Sequence, residues 1–211
     1  MSTRARASRS TTTIAASIAI AWSALGSPVA RALPSLPALV ERHGPAVVRV
    51  VDDAGAPLGQ GFFVATDGTL VGAWAGARVG APVVVETAMA GRVGGVVRAA
   101  AGGLVVVHVA FTAEHPPPVS LPIARVDARV PEWVVGVAVD DAGARTAALG
   151  GPRAGHRRPT YDLPCPPGAP IVTAEGHVVG VVLEQRGRSR VVAAGPAEVR
   201  ALLERAGPRA R

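Results

Sequence analysis

Residues 161–184 read Y-D-L-P-C-P-P-G-A-P-I-V-T-A-E-G-H-V-V-G-V-V-L-E, and the rest of the chain is interpreted from this stretch. It divides into a loop, a short strand at 171–173, a tight turn at 174–176 and a strand at 177–184. Two β-branched runs flank a turn that ends in Gly176, which is the pattern of a β-hairpin.

Working outward, a further strand is expected at 191–194. A closing helix follows at 196–205, with Val199, Leu202 and Leu203 on one face. On the other side, 129–137 and 144–153 read as strands, and 151–164 is Arg- and Pro-rich and reads as surface loop. Earlier still, 33–43 carries Leu36, Leu39 and Val40 at helical spacing, ended by Gly44–Pro45. Strands are expected at 45–50, 59–64, 69–73, 82–87, 92–99 and 104–110. The last of these, L-V-V-V-H-V-A, is nearly continuous in apolar residues and so reads as buried on both faces. Pro116–Pro118 lie in a break that reads as a linker. Eleven or twelve short strands with closely spaced turns imply an all-β pair of barrels.

The chain has 211 residues, room for one domain or two small lobes. All of its 22 basic residues are Arg and it contains neither Lys nor Asn, a bias towards GC-rich codons that says nothing about function. Residues 1–32 are expected to be a secretory leader. Arg4, Arg6 and Arg9 form its basic segment, residues 14–25 are apolar, and Ala30–Arg31–Ala32 supplies small-x-small. An uncleaved anchor is the other reading, although the apolar run is short for an ordinary membrane span. Without the leader's four arginines the net charge falls from +7 to +3, which is too mild to argue for nucleic acid. With the single cysteine Cys165, no intrachain disulfide can form, so packing must hold the fold.

The order of these elements resembles trypsin-like serine proteases, in particular the HtrA/Deg branch. Gly168–Ala169–Pro170–Ile171–Val172 is similar to the G-G-P-L-V that follows the family's nucleophile. Gly176–His177–Val178–Val179–Gly180–Val181 is similar to its G-x-V-V-G-I. Gly59–Gln60–Gly61–Phe62–Phe63–Val64 resembles G-S-G-F-I-I, followed by the Asp67–Gly68 turn. R-V-P-E-W-V-V-G-V at 129–137 resembles R-V-G-D-W-V-x-A-I. The resemblance runs from Leu33 to Arg205 and includes no PDZ domain. It implies a trypsin-like double six-stranded β-barrel with a short N-terminal helix and a C-terminal helix. The lobes would be 33–113 and 129–211, joined by 114–128.

Carried over position by position, the family's histidine, aspartate and serine fall on Ala75, Gly103 and Pro167. A triad needs an imidazole base, a carboxylate to orient it and a hydroxyl nucleophile, and none of these side chains moves a proton. The oxyanion donors would be the backbone N–H groups of Cys165 and Pro167, and proline has none. Pro166 and Pro167 are also expected to hold the backbone extended in place of the family's tight turn.

Three rescues are weaker than their plain alternatives. Cys165 as a nucleophile lacks a histidine near Ala75, so a structural or exposed thiol is preferred. His43, His108, His115, His156 and His177 match no zinc spacing and read as scattered surface residues, so no metal or other cofactor is expected. Asp52–Asp53 and Asp140–Asp141 sit in Gly/Ala turns, where loop chemistry explains them.

In the family, substrate adds as a strand along the edge after the nucleophile hairpin, which maps here to Leu183, Glu184 and Gln185. The expectation is an exported, periplasmic or secreted, non-catalytic module holding extended peptides, unfolded segments or a partner protein, with no nucleic acid. Membrane contact is expected only if the leader is uncleaved. A divergent serine endopeptidase remains the alternative, with Ser35, Ser120 and Ser189 as the serines beyond the leader.

Overall fold

The computed structural model describes residues 35–207 apart from 89, 113–118, 127 and 155. The expected leader and His115 lie outside the described residues, as does the Pro-rich start of the linker.

Helix α1 spans Leu36–His43 and starts where Ser35 Oγ accepts the Ala38 N–H at 3.3 Å. The helix ends at Gly44–Pro45 as read. The chain then tightens through a 3₁₀ turn, Gly44–Ala46, before β1 begins.

Strands β1 (Val47–Val51), β2 (Pro57–Phe63), β3 (Thr69–Ala73), β4 (Pro82–Thr87), β5 (Gly91–Ala101) and β6 (Leu104–Val109) close into a barrel of order β1-β2-β3-β6-β5-β4. Its interior holds Val48, Val50, Phe63, Leu70, Val85, Val97, Val105 and Val107. Val47, Phe62, Val71 and Val106 alternate onto the outer face and join a second core shared with the C-terminal half. This is why β1 and β6 are buried on both faces and why β6 reads as one apolar run.

The second sheet contains β7 (Val134–Val139), β8 (Arg145–Gly150), β9 (Pro152–Arg153), β10 (Thr160–Asp162), β11 (Pro170–Val172), β12 (Val178–Arg186) and β13 (Arg190–Ala194). Their order is β8-β7-β11-β12-β13-β10-β9. The two ends of that order, β8 and β9, are separated in the chain by Gly151 alone, whose carbonyl accepts the Asp162 N–H at 3.0 Å. One bent segment therefore supplies both ends of this curled sheet, which has the six strand positions of a second, half-open barrel. Helix α2 (Pro196–Ala206) packs Val199 and Leu202 onto the first barrel. No helix among the described residues is long and apolar enough to cross a membrane.

Two sequence expectations fail here. Residues 151–164 are not simply surface loop, because Thr160–Asp162 pairs with β13 and Tyr161 and Leu163 are fully buried. Proline and arginine at the flanks mask a strand only three residues long. The strand expected at 129–137 begins only at Val134, Pro131 having interrupted its first half.

The two barrels are tied directly. The buried Gln60 side chain reaches from β2 to β7, where its amide N–H donates to the Val139 carbonyl and its Oε1 accepts the Val139 N–H at 3.0 Å. The connecting segment is held on both sides, with Leu121 N–H on the Phe63 carbonyl at 2.8 Å and Ala124 N–H on the Val178 carbonyl at 2.9 Å.

Candidate functional site

A cavity of about 480 Å³ opens between the barrels and brings Ala75, Gly103, Pro167 and Leu183 together. These positions are up to 108 residues apart in the chain, yet one cleft collects them. Arg49, Leu58, Gln60, Trp74 and Asp141 complete much of its wall.

Trp74 is placed by glycine. A Cβ on Gly72 would lie 2.7 Å from the indole, and one on Gly59 would lie 3.2 Å from the Trp74 Cβ. With neither present, the ring lies over β2 and β3 and is only 9% exposed. Ala75 then falls on the exposed turn that follows β3.

Gly103 belongs to the two-residue Gly102–Gly103 turn between β5 and β6, with φ of +61° and +90°. Positive φ at both positions is the requirement of the tight primed hairpin turn. A side chain at Gly103 would be strained, and the Leu183 Cδ2 stands 3.7 Å from where its Cβ would be.

Around Pro167 the sequence expectation needs correction. The backbone does not run extended but turns, with the Ala169 N–H donating to the Pro166 carbonyl at 3.2 Å. Gly168 takes φ +87°. Proline at the second position and glycine at the third satisfy a type II turn, so the prolines select the tight turn that they were expected to abolish. The Gly168 N–H is engaged by the Val182 carbonyl at 2.8 Å and the Ala169 N–H by Pro166, while Pro167 has no N–H to offer.

Cys165 is 2% exposed, packed with Tyr161, Leu163 and Ile171 in the core of the second barrel, in the space left by Gly136. Burial pushes its thiol up to about 12, the wrong direction for a nucleophile. Burial likewise pushes the Tyr161 phenol up to about 12.

The acidic pairs work locally. Asp52 Oδ1 accepts the Ala56 N–H at 2.7 Å, and Asp140 Oδ1 accepts the Ala142 and Ala144 N–H groups at 3.0 and 2.8 Å. Arg49 bridges β1 to Glu86 at 2.6 Å and to the Asp141 carbonyl at 3.0 Å.

On β12 the edge residues behave differently from one another. Pairing with β13 slips between Val182 and Glu184, a bulge that places Leu183 in the cleft. Glu184 and Gln185 are exposed, and both Glu184 oxygens accept from Arg186, at 3.1 and 3.0 Å.

One histidine was misread from sequence. His43 is 4% exposed at the end of α1, and its ring packs against Gly176 in the β11–β12 turn. Its Nε2 has no hydrogen-bond partner among the described residues. Burial, then Arg42, hold its pKa below 6.5 against the opposing hydrogen bond to Ala174. Above pH 6.5 the ring is neutral folded and unfolded; below it the unfolded chain takes up a proton that the folded site resists. Stability contributed here is thus expected to be lost as pH falls from 6.5 through the lower folded value. The melting temperature measured between pH 7.5 and pH 5 should fall less in His43→Met than in the parent. Equal falls would count against the assignment.

The fold matches solved protease structures. The serine endoprotease from Yersinia pestis superposes with a TM-score of 0.66 at 17% identity, over 82% of this chain and 67% of that one. The Rv3671c protease in its inactive form superposes with a TM-score of 0.60 at 21% identity, over 82% of this chain and 96% of that one. No protein-family model and no curated protein matches the chain. The molecule therefore has the trypsin-like double-barrel fold of serine endoproteases, as the hairpin at 161–184 implied.

Proposed function

We propose that this chain is an exported, non-catalytic member of the trypsin-like fold that holds an extended peptide or unfolded segment along β12. One observation carries the reading. Where the barrels meet, the positions resembling a triad are Ala75, Gly103 and Pro167, and no serine or histidine among the described residues lines the cavity. Chemistry of the protease kind needs a nucleophile, a base and two N–H donors, and the local N–H groups of Gly168 and Ala169 are already engaged.

Binding needs none of these. β11 pairs with β12 no further than Val181, and β13 occupies the opposite side. Beyond Val182, the β11 side of β12 has no strand partner among the described residues and offers main-chain groups to an added strand. Leu183 supplies an apolar contact in the cleft; Glu184 and Gln185 stand at the rim.

A fluorophosphonate probe with the purified protein, run beside casein hydrolysis, tests the first half. The expected result is neither labelling nor turnover; labelling of one serine would return the divergent endopeptidase. Binding of reduced, carboxymethylated casein tests the second half. Leu183→Asp is expected to weaken it by about tenfold or more, because a carboxylate would enter an apolar contact unpaired. If the parent protein fails to bind casein, the peptide-holding role is wrong and the groove is scaffold only.

A further inference from the structure

A second cavity lies away from the cleft, on the outer face of the first barrel. Leu104, Val106 and His108 alternate onto that face of β6, and Leu104 and Val106 are covered in the cluster that includes Val199 and Leu202 of α2. The helix stops at Ala206, with Gly207 as its cap, and His108 is only half-buried. A space of about 460 Å³ remains between the helix end, residues 122–123 and strands β3 and β6. That volume is in the range of small-ligand sites, roughly 300–1,000 Å³.

Its lining is one-sided in charge. Arg98 and Arg200 reach it, and among the described residues no acidic side chain lines it. The exposed Arg200 donates to the carbonyls of Ile123 at 2.9 Å and Ala124 at 3.1 Å, neutral partners, and no ion pair to it is found among the described residues. Arg98 makes no hydrogen bond or ion pair with the described residues. Opposite the guanidinium groups the walls are apolar, with Val106, Ile123 and Leu203. Two cations beside an apolar floor describe an amphipathic anion.

We propose that this cavity binds a small amphipathic carboxylate, its head taken by Arg98 and Arg200 and its hydrocarbon body by Ile123, Leu203 and Val106. The planar guanidinium fork suits a carboxylate through paired N–H donors. The site is independent of the cleft and of whether the cleft is catalytic.

Titration calorimetry of the full chain with octanoate, octanol and octyl phosphate tests it. Octanoate is expected to bind saturably at one site, with octanol weaker by about tenfold or more, as the loss of charge-assisted hydrogen bonds implies. Arg98→Gln removes no described protein contact, so it should leave the melting temperature unchanged while weakening octanoate by a similar factor. Leu183→Asp, in the other cleft, should leave octanoate binding unchanged. The proposal is overturned if octanoate and octanol bind alike, if Arg98→Gln has no effect, or if no saturable binding occurs. Preference for octyl phosphate over octanoate would overturn the carboxylate head.

Discussion

Gly168→Ala is expected to cost about 3 kcal/mol or more of folding stability, the sum of a strained left-handed backbone and a steric collision. Gly168 has φ +87°, and a Cβ there would run into the Gln60 carbonyl of β2 and stand 3.1 Å from the Ala73 nitrogen. Neither obstacle is the flexible end of a side chain, so the second barrel's turn and the first barrel's wall would have to separate. Gly187→Ala is the matched control, because φ is +69° but nothing lies within 4 Å of the added carbon. There only the backbone penalty of about 1 kcal/mol applies. At roughly 2–4 °C per kcal/mol for a protein of this size, Gly168→Ala should melt about 6–12 °C below the parent. Similar melting of the two variants would show that the turn does not depend on its seat against β2.

Gln60→Leu is the second large effect, about 2–6 kcal/mol. The side chain is 9% exposed and Val139 is 6% exposed, so the substitution leaves the Val139 N–H and carbonyl buried without partners. Each such group costs about 1–3 kcal/mol. The comparison is Arg153→Ala, which breaks the exposed 2.8 Å pair with Asp162 and is expected to cost about 1 kcal/mol at most. Urea midpoints for the two variants decide the matter; equal midpoints would mean that the amide bridge does not join the barrels. Because Gln60 also lines the cleft, Gln60→Leu is expected to weaken casein binding at temperatures where the protein is still folded.

The parts of this architecture that were legible in the sequence are those in which neighbouring residues carry the information. Strands β3 and β4 fall on residues 69–73 and 82–87 as read, because each β-branched run is bounded by its own turn residues. The hairpin of β11 and β12 is legible for the same reason, with Gly176 at φ +87° closing its turn. The wrong readings concern residues whose state depends on a distant partner. His43 looks like a surface residue until the β11–β12 turn covers it. Tyr161 sits in an Arg- and Pro-rich segment and is nonetheless fully buried, its hydroxyl donating to the Val179 carbonyl at 3.4 Å. Pro166 and Pro167 suggested an extended segment, yet Gly168, against β2, makes a turn in which Pro167 fits.

The sequence by itself determined the fold class and the identity of the side chains at the cleft. Strand period, glycine turns and the order of motifs are local properties, and substituting a side chain does not move a backbone held by hydrogen bonds and valine packing. Tertiary structure alone decided what those side chains meet. It put Ala75, Gly103, Pro167 and Leu183 on one cavity, buried the Cys165 thiol, and used the Gly168 and Ala169 N–H groups within the backbone. It also left the end of α2 short of His108, opening a basic space with an apolar floor. Proximity, burial and hydrogen-bond saturation arise from chain segments tens of residues apart, so no local pattern encodes them.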